Sequence, residues 1–274
     1  VSGAKDLLSA TEGWIQQASH AEWDPSRVGS ISFYSLVLRS VLVKQYESML
    51  SVLTLEDCSQ GFSAVALLRA MCEELIWAKY LGSRGEEDAS RIVEALGPVG
   101  IHEAFLAQEA YRIPNTGFSD EWKAQSAASH VHESAELRSL FAKHGFKLKT
   151  HQTVPSVSQL AKAVSMSEIY RFHYHATSRA VHFSVPELLR RIWGKPGSMT
   201  ISSRTFERYW AAFAVYWGGW IYALTFLEIL LLLQAPDFPD EKIKQIDAAM
   251  RLMRRDGAIP ILTVQEVFWP ESWQ

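Results

Sequence analysis

The stretch from Tyr209 to Leu227 runs for 19 residues without a formal charge, and beyond Glu228 the apolar run resumes as Ile229 through Leu233. A segment of that length either crosses a bilayer or lies at the centre of a helical domain, covered on every side. Its aromatic residues, Trp210, Phe213, Tyr216, Trp217, Trp220, Tyr222 and Phe226, are spread along the whole length. Membrane spans gather Trp and Tyr at the two interfaces, and a carboxylate such as Glu228 is costly in lipid. The segment therefore reads as a buried core helix, with membrane attachment through 209–233 as the alternative.

The rest of the chain supplies helices to surround it. Residues 31–52 and 60–82 are long helical stretches without an internal Pro, separated by a turn at Leu55–Ser59. Gly97-Pro98 and Pro114–Gly117 bracket a shorter helix, and Ser119-Asp120-Glu121 opens a polar helix to Gly145 that reads as exposed or partner-facing. Residues 146–156 form a loop. Ser165 and Glu168 match a capping box, and the helix they open should run to about Val185, before Pro186. Gly194–Ser198 reads as a loop or hinge. Asp240–Arg255 has acids in its first turn and Arg254 and Arg255 in its last, which suits a helix dipole. No stretch alternates for long enough to require a sheet. The expectation is an all-α fold: one multi-helix bundle over 1–257, with 258–274 as an extended apolar strap.

Composition removes several function classes. Of 274 residues, 48% are hydrophobic, and 27 basic against 30 acidic side chains give a net charge of −3, which excludes intrinsic disorder and a strongly basic nucleic-acid coat. Two cysteines, Cys58 and Cys72, exclude a disulfide scaffold and a four-thiolate zinc site. The amino end has no basic head followed by an apolar stretch, so no exported leader is expected and the cytoplasm is the expected compartment.

Seven of the nine histidines fall between His130 and His182. On a helix through Glu168–Val185, at about 100° per residue, Ser178, Arg171, His182, His175 and Arg179 form one polar stripe, bordered by Tyr170 and Tyr174. Solvent faces normally mix in Lys and Glu, and this stripe has neither, so it resembles the wall of a site. An interhelical hydrogen-bond network would look the same. Arg69 and Glu73, four apart on an apolar helix, share a face and form either a structural ion pair or a site. In the site reading, Arg69 faces Ser178 and His182 across a cleft. Metal is not expected. His130-x-His132 and His173-x-His175 each put two rings about 200° apart, and His175 lies about 10.5 Å of helix rise from His182. No dinucleotide fingerprint, P-loop or nucleophile elbow is present, and no cofactor is expected.

Leu67–Glu73, with Arg69-x3-Glu73, and Tyr174-x3-Ser178-x3-His182, continuing into Phe183-Ser184, resemble the two signature helices of a bacterial family of uncharacterised all-helical proteins, over roughly residues 35–235. That family looks similar in architecture to the HEPN class (higher eukaryotes and prokaryotes nucleotide-binding). Many of those are metal-independent ribonucleases of toxin–antitoxin and phage-defence systems, acting as dimers through an Arg-x4-6-His motif. Here Arg171 and His175 have three residues between them and Arg179 and His182 have two, whereas Arg138-x5-His144 has a permitted spacing. The resemblance implies a binding or regulatory module of a defence system, with a protein partner or a second copy. Alternatively it implies RNA cleavage: His182 would act as acid or base, Arg69, Arg171 or Arg179 would hold the phosphate, and Tyr174 and Ser178 would orient the imidazole. DNA is not an expected partner.

Overall fold

The uncharged stretch becomes the axis of a helical domain. The computed structural model describes residues 1–20, 31–111, 117–182, 184–195, 197–234, 238–255 and 258–263. Among them are ten α-helices: α1 Ser2–Ser19, α2 Phe33–Asp57, α3 Gly61–Gly82, α4 Glu86–Ala110, α5 Asp120–Lys143, α6 Val157–Ala163, α7 Ser167–Val181, α8 Val185–Leu189, α9 Glu207–Leu232 and α10 Asp240–Arg255. The fold is all-α, as expected.

Helix α9 lies against α2 and α3 along their length, with α1 and α10 on a further side. Its Trp210, Phe213, Tyr222 and Phe226 are fully buried. Two features set its depth. Glu228 is largely buried and paired with Lys79 of α3, which answers the carboxylate that interrupts the apolar run. At the other end the buried Glu207 carboxylate accepts the Gly61 N–H at the start of α3, where free amide hydrogens and the helix dipole favour an anion. Gly61 is required there: a Cβ would stand 2.2 Å from the Ala211 nitrogen. Gly219 similarly leaves room for the Met253 sulfur of α10.

Several local expectations are corrected by packing. Helix α5 is not simply exposed: Leu137 and Phe141 are buried, and Trp122, stacked on Phe118 just before the helix, meets Phe105 of α4 edge-on. Pro98 does not bound a helix but sits inside α4, anchored on either side by buried Ala95 and Val99. The capping box at Ser165 does not form; Ser165 is left-handed (φ 59°) and Met166 precedes the first turn of α7. Gly194–Ser198, read as a loop or hinge, falls within an antiparallel hairpin of β1 Ile192–Lys195 and β2 Ser198–Ile201. Its four-residue strands are too short to show alternation; Gly194 inside β1 and Gly197 at the turn both take positive φ.

The apolar strap is described only over 258–263. There the carbonyls of Ile259, Pro260 and Ile261 accept from Trp217 Nε1, the Tyr209 hydroxyl and Arg190 Nη2. Residues 264–274 lie outside the described residues.

Candidate functional site

Helices α3 and α7 pack together and bring Arg69 to His182 across 113 residues of chain. Arg69 follows fully buried Leu68, so the backbone is anchored while its long side chain runs to the rim. Nε donates to Glu73 Oε1 at 3.1 Å, one turn on, and Nη1 lies 2.9 Å from His182 Nε2. A guanidinium carries only donors, so His182 Nε2 accepts and the ring hydrogen sits on Nδ1. The guanidinium carbon also stands 5.4 Å from the Tyr174 ring centroid.

The helix carrying His182 ends earlier than the sequence suggests. Val181 is the last residue of α7, and His182 is its C-cap with extended backbone (φ −118°, ψ 160°). Its amide still donates to the Ser178 carbonyl at 3.0 Å, so Ser178 enters the site through its backbone. The imidazole that meets Arg69 of α3 thus stands just beyond the helix rather than on it. The Arg69 and Glu73 side chains are 30% and 34% exposed and His182 is exposed, so the pair opens to solvent.

The polar stripe is not the inner wall. Arg171 and His175 are exposed on the outer side of α7, and neither makes a hydrogen bond or ion pair among the described residues. The Arg179 side chain lies outside the described residues. The wall facing α3 is instead Tyr170, His173, Tyr174 and Thr177, an i, i+3, i+4, i+7 set on one face. With Arg69, Glu73 and Cys72 they line a narrow crevice with about 10 Å³ of free space, room for roughly one water molecule.

His173, which the stripe left out, is 3% exposed; burial pulls its pKa down to about 4, so it is neutral at pH 7. Its Nδ1 has no partner among the described residues, and its ring stands edge-on to Trp217 of α9 at 5.2 Å. Burial pushes the Cys72 thiol up to about 12 and raises the Tyr170 hydroxyl, so neither is an ionised nucleophile. The signal that could have found His173 was its spacing from Tyr170, Tyr174 and Thr177.

The sequence profile of a family of unknown function, DUF5677, matches residues 35–199, more than half of the chain and both signature helices. The chain belongs to the DUF5677 family. No curated protein and no solved structure matches it. The DUF5677 match includes Arg69, Glu73 and Tyr174, which line the cleft, together with Ser178 and with His182, which meets Arg69 beside it.

The other candidates in this DUF5677 chain have separate uses. Arg138 Nη1 donates to the Thr150 and Gln152 carbonyls at 2.7 and 3.0 Å and holds the 146–156 loop. His144 Nε2 lies 3.1 Å from Asp88 Oδ2; burial, and then Arg84 beside it, lower the His144 pKa. The two therefore do not converge on one hollow, whatever their spacing. Among the described residues, His132, Glu133 and Glu136 come close enough to suggest a metal, but both Glu136 oxygens accept from Arg91 at 2.5 Å. A metal there would have to displace a bidentate guanidinium.

Proposed function

We propose that this DUF5677 protein is a binding and regulatory module that captures an anionic group, a phosphate in the first instance, at the Arg69–His182 cleft. The observation that carries this reading is the solvent-open pair itself. Of the five donors on Arg69, one N–H goes to Glu73 and one to His182, and three remain for an incoming oxyanion. We take the resemblance to HEPN-type proteins as the support for reading such a module as part of a defence or toxin–antitoxin system, cytoplasmic and acting with a protein partner or a second copy. The test follows the His182 ring signals by NMR during titration with inorganic phosphate. Saturable shifts in the native protein and none in Arg69→Ala are expected; unchanged signals in the native protein would overturn the reading.

A second reading, metal-independent RNA cleavage, is favoured by one detail. Nε2 of His182 is held by Arg69, and a phosphate that drew the guanidinium onto itself would free that lone pair to take a 2′-hydroxyl proton. It predicts cleavage of single-stranded RNA in the presence of chelator, abolished in His182→Ala. RNA left intact by a large excess of protein would reject it and leave the binding reading in place.

A further inference from the structure

Between Glu168 and Glu207 the chain carries six basic side chains and one acidic one, Glu187, in a protein whose net charge is −3. Glu187 is buried and accepts from both Arg190 and Arg191, so it contributes no free anion to the surface. Arg171 and Arg204 are exposed and make no ion pair among the described residues. The same stretch concentrates exposed aliphatic side chains. Val181, Val185, Leu188 and Leu189 flank or form α8, and Met199 and Ile201 stand on β2, Ile201 being 81% exposed. Helix α7 touches α8, α8 touches β1 and β1 pairs with β2, so these residues belong to consecutive, contiguous elements.

The hairpin has only two strands, and all four residues of β2 are exposed. Among the described residues, one row of its backbone N–H and C=O groups therefore has no strand beside it, which is a template for another strand. We propose that this face docks an extended acidic, aliphatic-rich segment of a partner protein, added along β2 as a third strand. Charge complementarity supplies the acidic character, and the aliphatic side chains supply its alternate apolar positions. Single-stranded nucleic acid fits less well, because bases stack on aromatic rings and, among the described residues from Val181 to Ile201, the exposed large apolar side chains are those of Val, Leu, Met and Ile. A lipid surface fits less well, because it cannot satisfy a strand edge.

The probe is a short synthetic peptide alternating glutamate and valine, labelled for fluorescence anisotropy with the full chain. Saturable binding is expected, weakened about tenfold or more by high salt and again by Ile201→Asp, with the lysine–valine analogue failing to bind. Amide exchange at Met199, Thr200 and Ile201 should slow about tenfold or more in the complex. The fold is monitored by melting, where Ile201→Asp should stay within about 2 °C because the side chain is exposed. His182→Ala should leave peptide binding intact, which separates this surface from the cleft. Absence of peptide binding would overturn the proposal. So would binding without protection of the β2 amides, or capture by this face of oligouridylate or anionic phosphatidylglycerol vesicles instead of the peptide.

Discussion

Arg69 and His182 matter through what they leave free rather than what they hold together. Both are solvent-open, and exposed polar pairs contribute about 0.2–1 kcal/mol to stability. Arg69→Ala and His182→Ala should therefore lower the melting temperature by less than about 3 °C while abolishing the phosphate response. A drop of ten degrees or more would show that the pair serves packing. His173 behaves oppositely. Its folded pKa is depressed to about 4 from the ordinary 6.5, so the unfolded chain binds the extra proton first as the pH falls. Stability from this residue is present above about pH 6.5 and is lost progressively down to about pH 4, on the order of 3 kcal/mol in all. Thermal melts of His173→Phe across that window should show a shallower pH dependence than the native chain, and an identical slope would refute the assignment.

At the scale of helices, the joint between α3 and α9 is the least tolerant. Gly61→Ala would force a methyl into the Glu207 carbonyl and the Ala211 backbone, and these are backbone atoms that cannot swing aside. A loss of about 3 kcal/mol or more is expected by denaturant titration, against less than about 1 kcal/mol for Gly85→Ala, whose new Cβ would meet nothing within 4 Å. The long helices were legible because their composition and caps are local: α3 and α10 fall within a residue of their expected bounds. The end of α7 was not legible. The sequence carries Pro186 as a stop, but the chain leaves helical geometry four residues before it, at His182, where tertiary contact with Arg69 takes over from local preference. The wheel for that helix chose the wrong face because it sought charge. The packed face is Tyr170, His173, Tyr174 and Thr177, and its single buried imidazole looks on paper like an outlier. The meeting of Arg69 with His182 was legible as a possibility from their elements, though not the angle at which they meet.

Across the whole molecule the decisive placement is that of α9. It is long and apolar enough to cross a bilayer, and 56% of its most apolar window is buried by the other helices. Pulling it into lipid would strip α2 and α3 of their partner and leave the Lys79–Glu228 pair in hydrocarbon. The chain should therefore stay in the supernatant of a detergent-free sedimentation run with neutral phosphatidylcholine vesicles. Co-sedimentation lost on charge insertion at Leu231, which is 75% exposed, would instead indicate an attached state.

The helix that completes the core is also among the last to be made. The end of α9 follows the end of α3 by 150 residues of chain. At about 5–20 residues per second of synthesis, α2 and α3 wait on the order of ten seconds or more on the ribosome with their apolar flanks uncovered. Newborn chains of this protein are thus expected to expose apolar surface until α9 is made. Truncations that end before Glu207 should accumulate as aggregates rather than as a smaller folded unit.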